Sequence, residues 1–174
     1  MAEPAAGDRL QPSLLDRLTD LHPEERRESV EARVLSRQQL RAAVLRDLSW
    51  LMNTTRPEPE AASARKDEIE LWRPYADARR SVLNFGMPEF AGVTKAALDK
   101  PVMEAAIKRT IAAFEPRLDA KTLSVTIHID YDLPLNNLQL TIRGQMWAQP
   151  MPLELLLAAD FDLESGDTSL RDLR

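Results

Sequence analysis

The residues in this chain best placed to do chemistry are carboxylates. Glu115, beside Pro116 and Arg117, could act as a general acid with Asp130 or Asp132 as its partner. A glycosidase pair needs its carboxyls about 5 to 9 Å apart, in a cleft that raises one pKa. Arg117 works against this, because a neighbouring guanidinium favours the ionised form of Glu115. His22 and His128 are far apart in sequence and show no metal-ligand spacing. The five glycines form neither a phosphate loop nor a nucleophile elbow. There is no cysteine, which removes disulfides, thiolate zinc and a cysteine nucleophile. The expectation is no catalytic residue, no metal and no cofactor.

The elements that position Glu115-Pro116-Arg117 are legible on both sides. Met103, Ile107, Ile111 and Phe114 fall on one helical face. Asp99 suits the N-cap and Pro101 the first turn. Pro116 cannot continue a helix and disfavours helical backbone at Glu115, so the helix should stop near Phe114. Thr122 to Ile129 then alternates, with Leu123, Val125, Ile127 and Ile129 on one side of a strand. From the three junction residues alone, the preferred reading is a helix stop carrying a solvated ion pair. The alternative is a charged grip for a partner.

Upstream, Ser13 can cap a short helix carrying Leu14, Leu15 and Leu18. Asp20 to Arg33 reads as a solvated connection. Ser36 with Gln39 fits a capping box, and Leu40, Val44, Leu48 and Leu51 form a helical stripe that Trp50 and Met52 widen. Arg41, Arg46 and Asp47 lie off that stripe and read as a solvated face. Asn53 should close the helix. Pro57 to Glu70 reads as a mobile loop with a helical turn near its end. Trp72, Pro74 and Tyr75 suggest a packed corner. Leu83, Phe85 and Phe90 are expected in the core, in an extended piece with tight turns.

Downstream, Leu138, Leu140 and Ile142 alternate, with Gly144 marking a bulge or a close approach. Met151 to Phe161 gives a third alternating run. The expected fold class is α+β: N-terminal helices followed by a small antiparallel sheet packed on a central helix. Residues 1–12 should form a flexible leader and 13–163 a single domain with mobile loop 57–70. Residues 164–174 should form a flexible polar tail with a short helical option. A three-stranded sheet has two edges, which invite strand addition from another chain.

Composition narrows the partners. The 174 residues are 44% hydrophobic and 29% charged, ordinary for a globular protein with one core. A net charge of −5 argues against sequence-independent nucleic-acid binding and against an anionic membrane surface. No signal peptide and no membrane span is visible, so the expected location is the cytoplasm, without membrane insertion.

Four runs taken in order carry a resemblance. They are Leu14-Leu15-Asp16-Arg17-Leu18, then Val44 to Thr54 (VLRDLSWLMNT), then Ser81 to Pro88 (SVLNFGMP), and Phe114-Glu115-Pro116-Arg117-Leu118. Together they resemble the TssE family, the baseplate wedge subunits of the bacterial type VI secretion system, similar to a baseplate wedge protein of contractile-tailed phages. Met52 stands where the family usually has leucine, a mild change. The resemblance implies a structural baseplate component on which the contractile sheath begins to polymerise. It implies docking to the wedge subunits TssF and TssG, with Glu115, Pro116 and Arg117 in that contact. It also reverses the preference for a merely solvated ion pair. The family's "lysozyme-like" label would imply a peptidoglycan hydrolase, to which these residues lend no chemistry.

Overall fold

The computed structural model describes residues 13–19, 23–24, 35–59, 65–90, 92, 94–95, 98–129, 137–147 and 152–173. The expected leader 1–12, most of the 20–33 connection, the middle of the 57–70 loop and the loop around Pro134 lie outside these residues.

The fold is α+β. Among the described residues five α-helices, α1 (Leu14–Leu18), α2 (Arg37–Met52), α3 (Ile69–Trp72), α4 (Ala76–Arg79) and α5 (Lys100–Phe114), precede the strands. The strands are β1 (Ser124–His128), β2 (Asn137–Met146), β3 (Leu153–Asp162) and β4 (Thr168–Asp172). They form one antiparallel sheet in chain order, β1-β2-β3-β4.

The helix boundaries follow local chemistry. In α2 the Ser36 hydroxyl accepts from the Gln39 amide (3.2 Å), and Gln39 Oε1 accepts from the Ser36 amide (2.8 Å). In α5 Asp99 accepts from the Val102 amide (3.2 Å), and the helix ends at Phe114, before Glu115-Pro116. Val44, Leu48 and Leu51 of α2 and Ile107 and Ile111 of α5 are fully buried against one face of the sheet. That face is built from Val125, Ile127, Leu138, Leu140, Ile142, Leu155 and Leu157. Each such side chain contributes about 1.5–3 kcal/mol relative to exposure.

Several expectations are corrected. The stretch from Glu164 is not a helix: it carries β4, so the sheet has four strands. Gly166, at φ +82°, turns the chain back, and the Asp162 amide bonds the Asp167 carbonyl (2.9 Å) to start the β3–β4 pairing. Gly144 makes no bulge, because the β2–β3 register is unbroken through Gly144↔Leu155. Trp50 does not join the core; it is exposed under the Arg46 guanidinium, 5.3 Å from the ring centre. Leu83 is exposed, because residues 82–84 form a 3-10 turn rather than an extended piece. Tyr75 and Pro74 are exposed and Trp72 is half-buried, so no packed corner forms there.

Candidate functional site

The Glu115-Pro116-Arg117 turn lies where α5 hands over to the sheet. The Arg117 carbonyl accepts from the Trp147 amide (2.8 Å), and the Asp119 amide donates to the Gln145 carbonyl (2.9 Å). Leu118 and Met146 form an antiparallel bridge between those bonds. The turn is thus stitched to the end of β2 before β1 begins, which fixes its direction.

The side chains of the turn face inward. Glu115 is only 2% exposed, and its carboxylate takes a fork from Arg117. Nε donates to Oε1 at 2.6 Å, and Nη2 contacts both Glu115 Oε2 and Asp47 Oδ2, the latter at 2.5 Å. Arg46 continues the chain of charges, meeting Asp47 Oδ1 and Asp16 Oδ1, each at 2.8 Å. Asp16 caps the start of α1, accepting from the Ser13 amide (3.2 Å) and hydroxyl (2.6 Å). Alternating charges therefore run from α1 through α2 to the turn after α5. The pair expected to be solvated is largely buried, and Arg46 and Asp47 are not a solvated face.

The electrostatics follow from this packing. Burial disfavours the Arg117 cation, but the hydrogen bonds and attraction of Glu115, then Asp47, outweigh it and hold its pKa above the ordinary arginine value. Burial would raise the Asp16 pKa, but the Ser13 hydroxyl and the Arg46 guanidinium bring it below the usual carboxylate value. Arg117 Nη1 is buried with no hydrogen-bond partner among the described residues.

An open groove of about 640 Å³ runs beside this network. Leu14, Leu15, Val82, Phe85, Phe114 and Pro116 form its apolar walls, and Asp47, Glu115 and Arg117 close one end. Leu14 is 72% and Val82 79% exposed, so the walls present apolar surface to solvent. Phe85 meets Phe114 edge to face with centroids 5.3 Å apart, which fixes part of the floor.

The acid–base possibility finds little here. Glu115 spends both carboxylate oxygens on Arg117 and is sealed from solvent, while Asp130 and Asp132 lie outside the described residues. His128 is exposed on β1. Sequence reasoning placed the turn but missed Asp16, Arg46 and Asp47. The one signal for them was that Asp16 lies in the first run and Arg46-Asp47 in the second of the four that carry the resemblance.

Residues 38–151 match the model of a family described as baseplate wedge protein gp25. No curated protein and no solved structure gives a match. The matched span takes in α2, the turn, β1 and β2, and so most of the charge network and the groove. The chain belongs to the gp25 family of baseplate wedge proteins, and that membership supports a structural role in a baseplate.

Proposed function

We propose that this protein is the TssE-type wedge subunit of a type VI secretion baseplate, a structural component rather than an enzyme. It docks to TssF and TssG at the groove lined in part by Glu115, Pro116 and Arg117, and serves as platform for the contractile sheath. The observation that carries the docking is an exposed apolar groove whose end is shaped by a buried charge network. Glu115 and Arg117 act by holding the end of the groove, and Pro116 and the leucine walls meet the partner. The proposed location is the cytoplasmic side of the inner membrane, with no membrane insertion and no nucleic acid. Among the described residues no helix is long and apolar enough to cross a membrane.

Sheath subunits are proposed to join by strand addition at an edge of the sheet, either β1 or β4. Both edges carry guards. The outward amide of Ile127 in β1 donates to Glu104 Oε1 (2.7 Å), and the Asn53 side chain occupies both backbone groups of Thr168 in β4. By antiparallel alternation, Val125 and Leu170 also face outward at these two edges.

The groove is tested by co-expression with TssF and TssG and pull-down. Leu14→Asp and Val82→Asp alter exposed walls without touching the charge network, so folding should be kept by circular dichroism. Both should lose the wedge partners. Retention of the partners by the folded variants would sink the groove as the docking site. Val125→Pro and Leu170→Pro each remove one outward amide, and one of them should block sheath nucleation. Normal nucleation in both would exclude strand addition.

A further inference from the structure

A second cavity, of about 430 Å³, shares Phe114 with the groove. Four arginines line it, Arg56, Arg79, Arg80 and Arg109, and among the described residues no carboxylate does. This is unexpected in a chain of net charge −5. Arg79 is neutralised by Glu58, at 2.6 Å, and Asn84 holds that carboxylate in place by donating to its other oxygen (2.9 Å). Among the described residues Arg80 pairs with the fully exposed Asp77, at 3.6 Å, which contributes little. Arg109 forms no ion pair among the described residues, and Ala106 and Ala113 beside it leave room above α5. Arg80 and Arg109, both exposed, therefore give this side of the pocket positive charge that the described carboxylates leave largely unbalanced.

We infer that this pocket receives the carboxylates of an acidic segment of a neighbouring wedge subunit, the same partner whose apolar residues fill the groove. The inference rests on the docking reading above and adds the partner's chemistry to it. Phe114 lines both cavities, so a segment that passes over Phe114 reaches both. The arginines come from separate elements, the segment after α2, the end of α4 and the middle of α5. Forks spread in this way suit several carboxylates along a chain. A single phosphate would favour a backbone cradle at a helix N-terminus, whereas this pocket sits on the C-terminal half of α5.

The test uses the full chain with its co-expressed wedge subunits and reads the apparent dissociation constant at low and high salt. Arg80→Glu with Arg109→Glu changes two exposed residues outside the charge network. The wild-type complex should weaken as salt rises, and the double charge reversal should weaken it roughly tenfold at low salt. Arg80→Ala with Arg109→Ala should fall between, and serves in place of the reversal if that variant misfolds. Unchanged affinity in both pairs, with Val82→Asp still abolishing capture, overturns the arginine pocket and leaves the docking groove standing. Failure of the wild type to capture any wedge subunit overturns both. Inorganic phosphate that raises the melting temperature of the wild type but not of Arg109→Glu, with capture unaffected by the reversal, shows a small-anion site and also overturns the inference.

Discussion

Helix α2 is held along two flanks, and the two are built differently. On one flank Asp47 and Arg46 join the turn after α5 and the short helix α1 through alternating full charges. On the other, Asn53 and Arg41 hold β4. The Asn53 amide clasps Thr168, giving a bond to its carbonyl (2.9 Å) and accepting one from its amide (2.8 Å). Arg41 forks onto Asp172 and donates to the Glu154 carbonyl (3.0 Å), which lies beyond the end of the β3–β4 pairing. The first flank spends charge to fix a turn beside a groove. The second uses an amide and one arginine to finish a sheet edge. A buried charge that loses its partner is far more costly than a surface pair that does, so the flanks should respond differently to the same kind of substitution.

The largest effect is expected at Glu115. Glu115→Ala leaves the Arg117 guanidinium, 22% exposed, with Asp47 as its remaining partner. Loss of one member of a buried pair costs about 3–5 kcal/mol, to be read by urea unfolding. Replacing both members, Glu115→Gln with Arg117→Met, should cost clearly less than Glu115→Ala alone. If the double variant is the less stable one, the network contributes more than mutual neutralisation. Glu115→Ala is accordingly a poor probe of docking, since loss of fold and loss of contact would coincide.

On the second flank Asn53→Ala strips partners from both backbone groups of Thr168, a residue buried against α2. Unsatisfied buried backbone groups cost about 1–3 kcal/mol. Amide exchange should quicken in β4 before the rest of the sheet, because the clasp serves that edge. Uniform loss of protection across β1 to β4 would mean that the edge is not a separate unit.

The flanks also differ in how much of them the sequence discloses. The α5 stop, the Ser36 cap and the three alternating strands β1 to β3 rest on residues adjacent in sequence, and all stand in the structure. The network was hidden because Arg117 and Asp47 lie far apart in sequence, and nothing about a lone arginine on a helix says where it will reach. β4 was hidden for another reason. Its buried side offers Thr168 and Leu170, a pattern too short and too polar to announce a strand. The sign that was available is the Asp162-to-Gly166 turn, where Asp162 accepts from the Glu164 amide (2.7 Å) and Gly166 takes the positive φ. Trp50 was misplaced because a helical stripe sets the face but not its limits, and an arginine over the ring stabilises an exposed position.

A smaller effect on the first flank comes with pH. The folded pKa of Asp16 lies below its ordinary value, so its contribution is present at neutral pH and is lost as pH falls through that lowered pKa. The Arg117 pKa is raised, so the cation is kept at any working pH and adds no titration of its own. Acid should therefore free α1 from α2. Trypsin cleavage after Arg17, assayed by returning acid-treated protein to neutral pH, would miss a fast re-docking. Fluorescence of Trp50, which lies under Arg46, reports directly in acid. The acid-induced change should disappear in Asp16→Asn, and its persistence there would assign it to another carboxylate.

The smallest effect belongs to the open face of the sheet, which serves as control for both flanks. Arg171 meets Asp160 at 2.5 Å and Arg143 meets Glu154 at 3.1 Å, with both arginines more than half exposed. These pairs have the same chemistry as Arg117–Glu115, with water in place of the packed walls. Arg171→Ala should cost less than about 1 kcal/mol, and salt should shrink even that difference. Asp160 returns to solvent when Arg171 is cut back, whereas Arg117, largely buried, keeps only part of its neutralisation, from Asp47, when Glu115 is removed. A cost for Arg171→Ala near that of Glu115→Ala would mean that burial does not separate these pairs, and the contrast between charge held inside the fold and charge left on its surface would fail.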